Sequence, residues 1–275
     1  MTAPTAACAD GRTAYLTSPL LDRAGLRHLF GTRHFPGERA PDNPAAPFAT
    51  EEAARVAAAA GLDGHAAAFL KQVHGADVVR ADKGGFQGNG DALVCDRPAL
   101  PLAIFTADCV PVVVYDPEGG RLALAHAGWR GTAQAVTRAA VDALVAAGSR
   151  PAALVAAVGP FIGPCCYEVD RPVIDRLAAA FPDQWFGWVE AKGQDAGGRE
   201  RWMLDLGKAT AHQLRSAGVL DASVEMLGRC TACRPDLFYS YRRGARGRLV
   251  TAAAVPAAAG PRRARVLESP SRGRT

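Results

Sequence analysis

The chain of 275 residues contains no apolar run close to the roughly 20 residues that a bilayer crossing requires. Its first residues, MTAPTAACADGRTAYL, lack a basic start followed by an apolar core, so no secretory signal is read and a soluble cytoplasmic protein is expected. Internal repeats and low-complexity linkers are missing as well. No basic stripe with interleaved aromatics runs through the body, which argues against a nucleic-acid partner, and the lack of apolar spans argues against a membrane one. The formal net charge of +5 does not alter that reading. The last fifteen residues, PRRARVLESPSRGRT, carry five Arg against one Glu, so nearly all of the excess lies in the tail. Such a tail has too little apolar content to offset the entropy of ordering.

What is present suffices for a substantial core, because 49% of the residues are hydrophobic. Residues 1–13 are expected to be a disordered N-terminus, 14–255 a single compact domain, and 256–275 a disordered basic tail. The stretch HFPGERAPDNPAAP (34–47) reads as a Pro-rich loop. TEEAARVAAAAGL (50–62) reads as a helix, with Thr50 as its N-cap, acids in the first turn and Gly61 at its stop. Two buried strands, PLAIFT (101–106) and VPVVVYD (110–116), flank Ala-Asp-Cys; the turn PEGG then leads into the strand RLALAHAG. Helices are expected over 132–148, 171–181 and 202–218, with further strands near 153–160 and 223–230. Strands and helices interleave, yet hairpins are present. The fold class is therefore α/β (α+β): mixed β-sheets with helices on the outside, rather than a doubly wound parallel sheet.

Seven Cys is an odd number, and without a secretory signal a disulfide framework is not expected. Free thiols, a metal ligand or a catalytic thiol are the alternatives. Three candidate ligands fall at strand ends beside small residues: His74 in KQVHG, Cys109 in TADCVP and His126 in AHAGWRG. Two imidazoles and one thiolate are a zinc-competent set, and three protein ligands leave a fourth tetrahedral position open. The alternative for His126 alone is a satisfied core histidine in a strand-to-helix turn. CTAC (230–233) together with Cys165 and Cys166 would supply four thiolates to a second, structural zinc. Adjacent cysteines are poor spacing for one tetrahedron, however, so buried free thiols are the preferred reading there.

The segments FLKQVHGADVV, GDALV, TADCVPVVVYDPEGGRLALAHAGWRG, VGPFIGPCCYEV and CTACRPDLFYSYRR, in that order, resemble the signatures of one family. It is the family described variously as polyphenol oxidase (laccase domain), peptidoglycan-editing factor and purine nucleoside phosphorylase. The resemblance runs from about Arg27 to Arg248. It implies a zinc-dependent purine nucleoside phosphorylase acting on adenosine, inosine and methylthioadenosine with phosphate, and an accompanying adenosine deaminase activity. It also implies His74, Cys109 and His126 as the metal ligands, and Arg33 in FGTRH as an active-site Arg able to clamp phosphate through a bidentate fork. The family's usual Gly-Gly-Val-Ser type loop is replaced here by the Pro-rich stretch.

Further candidates carry alternatives of their own. Gln72 reads as a contact to base or ribose, or as an exposed turn residue. Asp108 reads as a substrate or ligand-orienting group, or as a turn cap. Arg130 reads as a phosphate contact beside a packing Trp129. The deaminase fingerprint H-x-E with P-C-x-x-C is absent, since Ala127 and Gly128 follow His126. Six His in the whole chain are too few for the mononuclear and trinuclear copper centres of a laccase, although a single copper site with two His and one Cys is compatible with the set. A metal-free cysteine hydrolase using Cys109 and His126 is the alternative enzyme class.

Overall fold

The computed structural model describes residues 5–7, 11–37, 48 and 50–257. The expectations for the Pro-rich loop beyond Gly37 and for the tail beyond residue 257 lie outside the described residues. Within the stretch read as a disordered N-terminus, Thr5–Ala7 is a strand that pairs antiparallel with Thr13–Leu16.

Two β-sheets pack face to face and helices cover both outer surfaces. The larger sheet has seven strands in the order Thr5–Ala7, Thr13–Leu16, Arg27–Gly31, Leu249–Ala254, Leu102–Thr106, Ala68–Lys71 and Gly85–Asn89. The second has six, in the order Val224–Met226, Val155–Val158, Val110–Asp116, Arg121–Ala127, Ala92–Cys95 and Val78–Arg80. A three-stranded sheet of Glu168–Val169, Glu200–Leu204 and Val189–Gln194 completes the molecule. Parallel and antiparallel pairs are mixed, as expected from the interleaved hairpins and helices.

Residue period decides which layer each side chain joins. Along Val110–Asp116, Val112 and Val114 face the helices while Val113 and Tyr115 face the other sheet. In the paired strand, Ala123, Ala125 and Ala127 join the helix side, and Leu122 and Leu124 join the inter-sheet side. This two-residue alternation is what a strand buried on both faces produces. Helices Val136–Ala146, Arg171–Ala180 and Leu206–Ser216 lie on the first of those layers. Helix Glu51–Ala59, capped by the Thr50 hydroxyl, lies on the outer face of the seven-stranded sheet.

Three elements differ from the sequence reading for identifiable reasons. The strands on either side of Ala107-Asp108-Cys109 belong to different sheets, so that tripeptide is a crossover between layers. The helix expected over 132–148 is broken: Trp129–Ala133 and Val136–Ala146 are separated by Ala135 at φ +60°. A left-handed Ala costs of order 1 kcal/mol, and the bend re-aims the chain from the Gly128 turn onto the sheet. The helix expected over 202–218 begins only at Leu206, because the Asp205 side chain accepts from the Lys208 amide and starts it there. Trp202–Leu204 instead pairs in the small sheet.

Gly159, just after the strand Val155–Val158, packs against Phe30 of the larger sheet. A Cβ there would run into the Phe30 ring and lie 2.9 Å from Pro111 Cγ. Gly159→Ala should therefore destabilise the fold by roughly 1–3 kcal/mol through overpacking, measured as a lower urea midpoint at unchanged m-value.

Candidate metal centre

The crossover between the sheets brings three side chains to one point. His74 follows the strand Ala68–Lys71 of the larger sheet, and His126 ends the central hairpin of the smaller one. Cys109 lies on the crossover itself. His74 Nε2 is 4.0 Å from Cys109 Sγ, and the two imidazoles meet edge to face with centroids 4.9 Å apart. The ligand atoms of all three lie within 4.8 Å of one another, close to the span that one ion with bonds of about 2.0–2.3 Å bridges. Gly128 explains the small residues after His126. A Cβ at that position would stand 2.9 Å from Cys109 Sγ and 3.1 Å from His74 Cδ2, inside the space the three residues share.

Asp91, which sequence reasoning did not single out, organises the group. It is fully buried, and its carboxylate accepts from the amides of Val73 (3.2 Å), His74 (2.9 Å) and Gly75 (2.6 Å). These three bonds fix the turn that holds His74 at φ +62°. The same carboxylate lies 2.8 Å from His126 Nδ1, leaving Nε2 to face the other ligands. A carboxylate behind a ligating His sets the tautomer and raises its basicity. Burial alone would raise the Asp91 carboxyl, but the hydrogen bonds from His126 and the Gly75 amide outweigh it and hold it below the usual range. The available signal was a lone acid, in GNGDALV, leading a buried strand.

Charge polarises the trio. Burial would push the Cys109 thiol up, yet its interactions with His126 and His74 bring it down to about 6. Burial would depress His126, yet the Cys109 sulfur and Asp91 hold it up, at about 9. The sulfur is thus disposed to be a thiolate, the form that binds a metal. Two imidazoles and a thiolate, supported by a buried carboxylate, fit a zinc-type ion and leave one tetrahedral position open.

The other expected site residues are placed around this centre in different ways. Gln72 donates to the Phe105 carbonyl and accepts from the Phe105 amide, both at 2.7 Å. These two bonds join the His74 turn to the neighbouring strand. Asp108, at φ +87°, accepts from the Thr231 hydroxyl (2.6 Å), the Ser240 hydroxyl (3.0 Å) and the Arg242 amide (2.7 Å). Its carboxylate anchors the crossover that presents Cys109, as the reading of Asp108 as a ligand-orienting group or turn cap expects. Arg130 is exposed, with its guanidinium 4.3 Å above the Trp129 ring. Together with Gln134, Pro172 and Arg176 these two line a cavity of about 320 Å³. Gln134 also donates to the His74 carbonyl, so this cavity adjoins the His74 turn. Arg33 is exposed and hydrogen-bonded to the Pro235 carbonyl, with its guanidinium 5.2 Å from the Tyr239 ring centroid. Its observed partners are in the 235–239 segment, not among the three ligand residues.

Tyr167 and Arg242 were also missed. The Arg242 guanidinium lies 5.2 Å from the Tyr167 ring centroid. Burial pushes the Tyr167 hydroxyl well above the usual phenol range; the charges of Cys109 and Asp108 raise it further, while Arg242 and Arg130 oppose them. A phenol, two guanidinium groups and the ligand cysteine thus share one electrostatic neighbourhood.

The fold and the convergent trio define a mixed α/β protein of three sheets with a three-residue set that could hold a metal. Residues 37–256 match the model of the family described as multi-copper polyphenol oxidoreductase laccase, and the chain belongs to that family. A purine nucleoside phosphorylase of Deinococcus radiodurans is 44% identical over 195 residues, covering 71% of this chain and 72% of the relative. The purine nucleoside phosphorylase YlmD of Geobacillus stearothermophilus is 38% identical over 204 residues, covering 66% and 69%. The crystal structure of YlmD from that organism superposes with a TM-score of 0.76 at 28% identity, over 92% of this chain and all of that one. The Bacillus licheniformis hypothetical protein YfiH gives 0.76 at 28% identity, over 88% and 96%.

Two outcomes follow from the geometry. Asp91→Asn should weaken metal binding about 10–100-fold, measured by competition with a chromogenic chelator. In metal-free protein, alkylation of Cys109 should rise with pH through a midpoint near 6 and be level by neutrality, because the ionised sulfur is the reactive form.

Proposed function

We propose that the chain is a zinc-dependent purine nucleoside phosphorylase. It cleaves adenosine, inosine and S-methyl-5'-thioadenosine to the free base and (methylthio)ribose 1-phosphate, with adenosine deamination as a side reaction. One observation carries this reading: His74, Cys109 and His126 converge in front of Asp91 in a chain whose relatives bear the phosphorylase name. Zinc held by these residues would supply a Lewis acid with one position left for a substrate oxygen or water.

The chain's own residues answer the remaining demands of phosphorolysis. A phosphate oxygen must bond to the anomeric carbon as the bond to the purine nitrogen breaks, and the departing base must gain a proton. Arg130 and Arg242 provide positive charge around Tyr167 for the phosphate, and Arg33 a further guanidinium on the 235–239 side. Tyr167 keeps its proton at neutral pH and can donate a hydrogen bond to a developing anion. Asp91 holds His126 in one tautomer throughout. The several copper centres named in the family description call for more imidazoles than the chain's six, whereas a single copper ion is compatible with this set of two His and one Cys. Among the described residues, the two groups able to hold a metal are this trio and a set of four thiols.

A second reading has a specific observation behind it. A low thiol, a raised imidazole and a carboxylate in contact with that imidazole also form the Cys–His–Asp order of a cysteine hydrolase. Chelation separates the two. For the phosphorylase, a chelator abolishes turnover and unmasks Cys109, and zinc restores both properties. For the hydrolase, turnover survives the chelator and is destroyed by alkylation.

With adenosine and phosphate, the expected products are adenine and ribose 1-phosphate with some inosine, resolved by chromatography. Omitting phosphate should stop base release while inosine still forms. Arg33→Ala should lower phosphorolysis more than deamination, and Arg130→Ala should do the same if both guanidinium groups hold phosphate. Base release at full rate without phosphate would mean a hydrolase.

A further inference from the structure

Two turns remote in sequence bring four further thiols together. Phe161 pairs in parallel with Cys230: the Phe161 amide donates to the Arg229 carbonyl (3.2 Å) and the Thr231 amide to the Phe161 carbonyl (3.0 Å). This pairing sets the Gly163-Pro164-Cys165-Cys166 turn beside Cys230-Thr231-Ala232-Cys233. Cys233 Sγ is 3.5 Å from Cys165 Sγ and 3.4 Å from Cys166 Sγ, and all four sulfurs lie within 4.8 Å of one another. Four sulfurs at bonds of about 2.3 Å around one ion stand about 3.8 Å apart, so the cluster is already near a tetrahedron. The adjacent cysteines, poor partners by spacing, contribute together because the tight turn over Gly163 aims both sulfurs at Cys233. The Gly163 amide donates to Cys230 Sγ at 3.2 Å, and a Cβ on Gly163 would press on Cys165 Sγ at 3.3 Å.

The arrangement suits neither ordinary packing nor a disulfide. Cys165 and Cys233 are exposed and the other two half-buried, against the expectation of buried free thiols. Cys233 is equally close to two partners, whereas a disulfide selects one. The sulfurs also stand too close together to enclose more than a single ion. Charge points the same way. A divalent ion with four thiolates carries a net charge of −2, and the adjoining cavity of about 340 Å³ is lined by Lys192, Arg242 and Arg243 beside one acid, Glu168.

We propose that Cys165, Cys166, Cys230 and Cys233 bind one zinc ion as a closed tetrathiolate site, distinct from the His74–Cys109–His126 centre. With four protein ligands and no open position, this site is structural. Its ion ties together the two turns that support the crossover. The Thr231 hydroxyl donates to the Asp108 carboxylate at 2.6 Å, and the Ile162 amide donates to the Asp108 carbonyl at 2.9 Å, directly before Cys109. The second ion therefore acts behind the first centre, holding the loop that presents its thiolate.

The test uses the full chain, purified under reducing conditions, loaded with Zn²⁺ and desalted, with metal counted by mass spectrometry. Wild type should retain two zinc ions per chain. A His74→Ala/His126→Ala variant should retain one, and zinc should protect Cys165, Cys166, Cys230 and Cys233 from alkylation in its peptide map. Co²⁺ added to that variant should give the intense sulfur-to-cobalt absorption of a tetrathiolate. Cys230→Ser/Cys233→Ser should drop the wild-type count to one. Should that variant fail to fold, the histidine variant decides alone. A histidine variant that retains no zinc, with the four thiols alkylated equally with and without Zn²⁺ or found as disulfides, overturns the proposal. None of these readouts depends on phosphorolysis, so the site stands or falls apart from the proposed activity.

Discussion

A single buried carboxylate holds the centre together. Asp91 is fully excluded from solvent, where an unpaired charge would be costly. Three backbone amides and one imidazole surround it, so its charge is satisfied entirely by groups it must position. The amides belong to the His74 turn leaving one sheet, and the imidazole ends a strand of the other. Fixing Asp91 therefore fixes the relative placement of two ligands that reach the centre on different layers.

Cys109 is held by a parallel arrangement one residue away. Asp108 takes a left-handed backbone conformation and receives two hydroxyls and an amide from the 231–242 segment. Each of these buried acids anchors a turn, and each turn carries one of the candidate metal ligands. Gln72 adds a third tie, pairing with both backbone groups of Phe105 much as a strand would. Rigid support of this kind suits a metal site, whose affinity depends on ligands already in place.

The centre's chemistry follows from mutual charge more than from any residue alone. A buried thiol and a buried imidazole would each resist ionisation, but together with Asp91 they favour the charged forms. This disposition is compatible with metal ligation and with nucleophilic chemistry alike, which is why geometry alone leaves two enzyme classes to be separated by chelation. The guanidinium groups of Arg130 and Arg242 act on the buried Tyr167 phenol against the charges of Cys109 and Asp108, so opposite charges meet beside the centre.

Local pattern in the sequence determined a good part of this protein. The two-residue period marked the buried strands 110–116 and 121–127, Thr50 and the acids after it marked the helix that follows, and the mixture of hairpins and helices indicated mixed sheets. Small residues beside His74, Cys109 and His126 marked turns with room for a ligand, and Gly128 shows why: a side chain there would occupy the site. Other features depend on partners far away in the chain. Asp91 looks like any strand-leading acid until the His74 turn folds over it. Gln72 and Asp108 look like free polar groups until Phe105, Thr231 and Ser240 arrive. The strand at 249–254 becomes recognisable only between Arg27–Gly31 and Leu102–Thr106. The adjacent cysteines look mismatched for one tetrahedron until the pairing of Phe161 with Cys230 supplies the other two sulfurs. Spacing and composition report on contacts within a few residues, whereas hydrogen-bond satisfaction and ligand convergence are properties of groups that only the packed sheets bring within reach.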